Sequence, residues 1–180
     1  MRILYLVIFM FFNFLNVNAN YNELAYNFKF NGINGKQISL DDYKGKVIVV
    51  VNVASRCGYT PQYSELQDLW TTYKDENVVI IGVPTNNFKQ EPGSNEEIKD
   101  FCETNFGINF PMTEKINVIG KNAHPFYIWA KKNYGLGAIP KWNFHKIIVG
   151  KNGKVVDTFA SFTKPNSKKF LDRIKLEIKN

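Results

Sequence analysis

From Lys46 to Ala54 the chain reads Lys-Val-Ile-Val-Val-Val-Asn-Val-Ala, a β-branched stretch with almost no polar alternation. A strand wetted on one side alternates apolar with polar residues, whereas one covered on both faces does not. The run is therefore predicted to be a central strand, and the rest of the chain must supply covering layers above and below it. Pro61 then opens a helical pattern reaching Lys74, with Leu66, Leu69, Trp70 and Tyr73 on one stripe. Thr60 stands where an N-cap is expected and Pro61 at the first helical position. Asn77 to Val83 reads as a second buried strand, so the three segments form a parallel crossover unit.

The remaining elements follow from turn and capping chemistry. Phe28-Lys29-Phe30 and Gln37-Ile38-Ser39-Leu40 flank Asn31-Gly32 and Asn34-Gly35, residues that accept the positive φ of tight hairpin turns. Ser94-Asn95-Glu96-Glu97 is a capping box that starts a helix, and Gly107 can end it. In that helix Ile98, Phe101, Cys102 and Asn105 fall on adjacent turns, which places Cys102 on or near the inward face. A shorter helix is expected around His124 to Asn133. Trp142 to Gly150, a turn at Lys151-Asn152-Gly153-Lys154, and Val155 to Ala160 read as strand, turn, strand. Residues 165 to 178 form a basic amphipathic helix with Phe170, Leu171, Ile174 and Ile178 inward. A hairpin followed by β-α-β-α-(α)-β-β-α is an α/β arrangement. It is thioredoxin-like, a central mixed sheet with flanking helices and an N-terminal β-hairpin, in one domain over residues 24 to 178.

The first residues read differently. Ile3 to Phe12 is a short apolar run preceded by Arg2, and Val17 and Ala19 stand at −3 and −1 before Asn20. A basic start, an apolar core and a small-residue exit describe a signal peptide over residues 1 to 19. The run falls short of the roughly 20 apolar residues that span a bilayer. This predicts passage into the secretory pathway and leaves the final compartment open among secreted, endoplasmic reticulum and a plastid-like organelle.

Composition removes several function classes. With 44% hydrophobic residues the 180-residue chain has enough apolar matter for a core and is not of the disordered class. Its formal charge of +7 raises the question of nucleic acid. The lysines are scattered, however, and no helix-turn-helix or aromatic-basic RNA motif appears, so no nucleic-acid partner is expected. Lys164, Lys168, Lys169, Arg173, Lys175 and Lys179 line the last helix with Asp172 and Glu177 among them. They read as a solvated face, or as attraction toward an acidic protein or an anionic lipid surface. Two cysteines and two histidines at spacings that match no ligand pattern imply no metal and no cofactor; His124 and His145 receive no role.

Cys57 lies just after the central strand and four residues before Pro61. That is the mouth of a strand-loop-helix unit, where unpaired backbone N–H groups and the helix dipole favour an anion. The thiolate is the nucleophilic form of cysteine, so the location suits chemistry. The bland reading is an inert buried cysteine, and Arg56 and Gly58 beside it argue against full burial. The sequence Cys57-Gly58-Tyr59-Thr60 lacks the second thiol of a local dithiol, which excludes exchange within the loop. A lone thiolate can instead attack an electrophile such as a peroxide O–O bond and become a sulfenic acid. Cys102 is the only other thiol in the chain.

Asn52-Val53-Ala54-Ser55-Arg56-Cys57-Gly58-Tyr59-Thr60 resembles the nucleophile motif of the glutathione peroxidase family in its cysteine form. Gln90-Glu91-Pro92-Gly93-Ser94-Asn95-Glu96-Glu97-Ile98 and Lys141-Trp142-Asn143-Phe144-His145-Lys146 resemble the same family in the same order. The resemblance implies a catalytic group of Cys57, Gln90, Trp142 and Asn143. Two amides and an indole N–H are neutral donors suited to a thiolate and a bound peroxide. It also implies that Cys102 is the resolving cysteine of the thioredoxin-dependent branch, with hydroperoxides as substrates and thioredoxin, or glutathione, as reductant. The short connection from Ile119 to Trp142 resembles the monomeric branch. Departures from the family pattern are Thr85, where relatives often carry another cysteine, and Asn87 and Lys89, where Gln and Gly are commoner. A redox relay that oxidises a partner protein, or a secreted module with a static disulfide, are the alternatives.

Overall fold

The computed structural model describes residues 22–180. The proposed signal peptide therefore lies outside the described residues. A small antiparallel hairpin, β1 (Lys29–Asn31) with β2 (Gln37–Ser39), precedes the main sheet. That sheet contains β3 (Val47–Val53), β4 (Val78–Pro84), β5 (Lys146–Val149) and β6 (Val155–Phe159) in the order β4-β3-β5-β6. Strand β3 pairs parallel with β4 and antiparallel with β5, so the sheet is mixed and β3 is internal. Helices α1 (Gln62–Tyr73), α2 (Asn95–Phe106), α3 (Pro125–Tyr134) and α4 (Lys168–Lys179) complete the thioredoxin-like arrangement expected from the sequence.

All seven residues of β3 are buried, as the unbroken β-branched run requires. Val47, Val49, Val51 and Val53 point to one side, into a core shared with Tyr63, Leu66 and Leu69 of α1, Ile98 and Cys102 of α2, and Phe170 and Ile174 of α4. Ile48 and Val50 point to the other, where Phe126, Trp129 and Ala130 of α3 and Phe28 and Phe30 of the hairpin region cover them. The alternation of a pleated strand thus divides the hydrophobic residues into two cores.

Helix boundaries follow their caps. Ser94 accepts from the Glu97 N–H and the Glu97 carboxylate accepts from the Ser94 N–H, closing the capping box of α2. Gly107 ends that helix at φ 61°, a left-handed conformation that favours glycine. His124 caps α3 through its ring, accepting from the Phe126 N–H at 3.3 Å, and stacks on Phe30 with ring centroids 4.2 Å apart.

Four expectations need correction. Thr60 does not cap α1. Its hydroxyl turns back to the loop before it, and the helix begins at Gln62 with Pro61 as cap. Residues 142–145 are not strand. Phe144 adopts φ 64° and the Asn52 side chain binds the Trp142 carbonyl at 3.1 Å, pulling the segment off the sheet. Helix α4 starts at Lys168 and not at 165. Asn105, grouped with the inward positions of α2, is exposed and its amide donates to the Phe101 carbonyl.

Because the capping box holds the first turn of α2, Ser94→Ala should destabilise that helix by about 1 kcal/mol. Amide exchange across 95–106 should accelerate while β3 and β4 remain protected; uniform acceleration of both would show that α2 does not open independently.

Candidate active site

The site grows from the C-terminal end of β3. After Val53 the chain turns through Ala54, Ser55 and Arg56, and the 57–60 turn leads into α1. The Cys57 N–H donates to Thr60 Oγ1 at 3.0 Å, the Thr60 hydroxyl donates to the Ala54 carbonyl at 2.8 Å, and the Thr60 N–H donates to the Cys57 carbonyl at 3.0 Å. The Tyr59 N–H points at Cys57 Sγ from 3.4 Å, so a backbone donor already faces the sulfur. Arg56 and Gly58 are exposed, but the turn folds the Cys57 side chain inward and leaves that residue only 8% exposed. The thiol is therefore more enclosed than its neighbours in sequence suggested.

Gln90 and Asn143 meet directly. Asn143 Nδ2 donates to Gln90 Oε1 at 2.9 Å, and the Gln90 backbone carbonyl accepts from the Arg56 N–H at 3.0 Å. With its side-chain oxygen engaged by Asn143, the Gln90 amide is turned so that its NH₂ is left to donate elsewhere. Asn143 itself is fully buried and its Oδ1 has no partner. Trp142 is 41% exposed, its ring packing against Phe88 at 5.4 Å between centroids. Its position is set through its backbone, by the bond from Asn52 Nδ2. The Phe144 N–H donates to the Asn52 carbonyl at 2.6 Å, so Asn52 grips the 142–144 segment from two sides. The structure thus gathers Cys57, Gln90, Trp142 and Asn143 at one end of the sheet. The direct hydrogen bond to Sγ comes from the Tyr59 backbone.

Residues without an assigned role in the sequence reading hold these parts in register. Glu91 is buried, and one carboxylate oxygen accepts from both the Ser55 N–H at 2.7 Å and the Ser55 hydroxyl at 3.0 Å. Together with the Arg56–Gln90 backbone bond this ties the Gln90 loop to the Cys57 loop. Burial pushes the Glu91 carboxyl above its ordinary value, and the bonds from Ser55 pull it part of the way back. Lone polar residues in apolar company were the available signal, Asn52 inside the valine run being the plainest. Lys89, where the family more often has glycine, adopts φ 59°, a conformation that glycine reaches without strain. Asn87 is the hub of its loop, its Oδ1 accepting from the Val118 N–H at 2.7 Å and from the Thr85 hydroxyl at 3.0 Å.

Cys102 is only 1% exposed, deep in α2. Burial pushes its thiol up to about 11; the neighbouring Tyr63 hydroxyl lowers it, and the charges of Glu91 and Glu103 raise it further. Cys57 and Cys102 are both free thiols and belong to the same hydrophobic core, with Tyr63 and Phe144 in edge-on contact there. A cavity of about 330 Å3 lies beside Cys102, bordered by Ile33, Ile38, Phe110 and Met112. A smaller one of about 160 Å3 is bordered by Ser55, Arg56, Gly93 and Phe101. His145, given no role from sequence, is buried and held neutral at about 4, chiefly by burial and then by the charge of Lys146. Among the described residues no group of three or more His, Cys, Asp or Glu is placed to hold a metal.

The family model described as glutathione peroxidase matches residues 25–131. The chain belongs to the glutathione peroxidase family. It is 50% identical over 138 residues to the glutathione peroxidase-like peroxiredoxin 2 of Saccharomyces cerevisiae, covering 74% of this chain and 85% of that protein. It is 42% identical over 159 residues to the hydroperoxy fatty acid reductase gpx1 of Synechocystis, covering 83% and 94% respectively. Among solved structures, the apo form of Trgpx superposes with a TM-score of 0.70 at 37% identity, covering 88% of this chain and 97% of that one. The protein is a thiol peroxidase that acts on hydroperoxides.

The raised Glu91 carboxyl gives a pH signature. The folded state holds this proton more tightly than the unfolded chain, so its contribution to stability is complete in acid and is lost as pH rises through the folded value. Glu91→Gln removes the titration while retaining an oxygen for the Ser55 N–H. The stability of the variant relative to the parent should therefore rise as the pH climbs above 4.5, the ordinary carboxyl value, read from urea midpoints. A difference independent of pH would show that this carboxyl is not perturbed.

Proposed function

We propose that this peroxidase reduces hydrogen peroxide and organic or lipid hydroperoxides through Cys57, with Cys102 as resolving thiol and a thioredoxin-type dithiol as reductant. The observation that supports the reading is the backbone donor facing Cys57 Sγ, in a loop whose Arg56 N–H is bonded to the carbonyl of Gln90, itself held by Asn143. The Cys57 thiolate attacks the terminal peroxide oxygen, an S–O bond forms and the O–O bond breaks. The departing alkoxide takes a proton and leaves as alcohol, or as water from hydrogen peroxide. Gln90, Asn143 and the Trp142 indole serve as neutral donors for charge as it moves from sulfur to oxygen. Cys102 then attacks the sulfenic sulfur, an S–S bond forms, and hydroxide leaves with the thiol proton as water. A dithiol restores both thiols by exchange, supplying two electrons.

The resolving step requires movement. Cys102 sits inside a capped helix with its thiol pushed up to about 11, a protonated and buried state that is poorly nucleophilic. A buried, protonated thiol held in a capped helix has to be freed before it can attack, so we infer that α2 unwinds locally when Cys57 is oxidised. The likeness to a yeast glutathione peroxidase-like peroxiredoxin supports the peroxiredoxin-like cycle, and that to the Synechocystis hydroperoxy fatty acid reductase supports lipid hydroperoxides as substrates. We further propose a monomeric enzyme that enters the secretory pathway, with the basic face of α4 turned toward an acidic reductant or an anionic lipid surface.

Cys57→Ser should abolish turnover. Cys102→Ser should still consume a single equivalent of peroxide but lose cycling with thioredoxin, and the parent should cycle faster with thioredoxin than with glutathione. Hydrogen exchange over 94–107 should be faster in the oxidised than in the reduced protein. Equal protection would contradict unwinding, and unimpaired turnover by Cys57→Ser would overturn the assignment itself.

A further inference from the structure

Lys146, the first residue of β5, is fully buried. Its Nζ donates to Gln62 Oε1 at 2.5 Å and to the Thr163 carbonyl at 2.6 Å, while Gln62 Nε2 donates to the Ser161 carbonyl at 2.7 Å. Among the described residues no carboxylate lies within ion-pair distance of this ammonium. Glu65 is the acid whose charge reaches it, and that group pairs with Lys164 at 3.8 Å. A cation placed in a core without a counter-ion costs stability, and a methionine-like side chain would fill the same space. The arrangement therefore calls for a reason beyond packing.

The bonds supply one. Gln62 is the first residue of α1, and its backbone N–H donates to the Tyr59 carbonyl at 2.9 Å. The N–H of Tyr59 is the donor that faces Cys57 Sγ. A short chain of contacts thus runs from Lys146 through Gln62 and Tyr59 to the sulfur. On the other side, the carbonyl of His145, next to Lys146 in sequence, accepts from the Asn52 N–H at 3.3 Å, and Asn52 grips the Trp142–Phe144 segment.

The geometry points to Lys146 as a positioning residue of the peroxidase site. Its buried ammonium clamps Gln62 against the 161–163 segment and so fixes the turn that aims the Tyr59 N–H at Cys57. This rests on the proposed role of Cys57 and adds a residue that touches neither peroxide nor sulfur. Desolvation lowers this ammonium to about 7, with the charge of Glu65 opposing the shift, which is consistent with a cation held by neutral acceptors.

The test separates two half-reactions in the full chain. In Lys146→Met, oxidation of the reduced protein by hydrogen peroxide should slow at least about tenfold by stopped flow, as misplacement of a reacting group predicts. Reduction of the preformed disulfide by thioredoxin should stay within about twofold, because that step does not use the Cys57–peroxide geometry. Equal rates in both steps, or losses in both that track the folded fraction by circular dichroism, would overturn the proposal. Should Lys146→Met fail to fold, the pair at Gln62 decides. Gln62→Glu keeps the acceptor for the Lys146 ammonium and loses only the bond to the Ser161 carbonyl, so it should react with peroxide several-fold faster than Gln62→Leu, which keeps neither; equal rates in the two would overturn the proposal. Failure of the parent itself to react through Cys57 would refute the underlying assignment and is read separately.

Discussion

The hydrogen bonds that Asn52 makes to the 142–144 segment hold the two halves of the site together. Asn52 interrupts a strand that is otherwise wholly apolar, and it is buried. Its amide nitrogen engages the Trp142 carbonyl and its backbone carbonyl receives the Phe144 N–H. A polar side chain in that position is tolerable only because it is used. The result is that the Trp142–Asn143 pair, distant in sequence from Cys57, is carried on the same strand end that launches the cysteine loop.

A second set of bonds closes the site from the opposite edge. Ser55, Glu91, Arg56 and Gln90 lace two loops that leave adjacent parallel strands, β3 and β4. Loops at the carboxyl ends of neighbouring parallel strands are where α/β sheets place their chemistry. Here the two bonds from Ser55 end on the buried Glu91 carboxyl, and the Arg56–Gln90 backbone bond adds a third tie. Such support suits a centre that, on the proposed cycle, keeps its donors in place while the neighbouring helix rearranges.

Much of this was legible in the residues. The β-branched run located β3, the Ser94–Glu97 spacing located α2, and the Asn-Gly turns located the hairpin, because each rests on a local physical rule. The segment at 142–145 was misread as strand because its aromatic and apolar residues fit a pleated surface equally well. Only the tertiary bond from Asn52, ninety residues away, turns it aside. Thr60 was misread for a related reason: its hydroxyl had two nearby uses, and the carbonyl of Ala54 became available only once the loop had formed. The contributions of Glu91 and Lys146 depend wholly on partners brought in from elsewhere, so no spacing within their own elements could reveal them.

Helix α2 is attached to the core by two buried side chains, Ile98 and Cys102, with Phe101 and Phe106 partly covered. On the proposed cycle, the sulfur that reacts is thus also one of the helix's few anchors. Whatever draws it toward Cys57 weakens the grip on the segment that has to travel with it, so departure from the core and delivery to the partner become a single event. A bulkier apolar residue there would fasten the helix better and silence it, which sets thermal robustness and turnover against each other at one position.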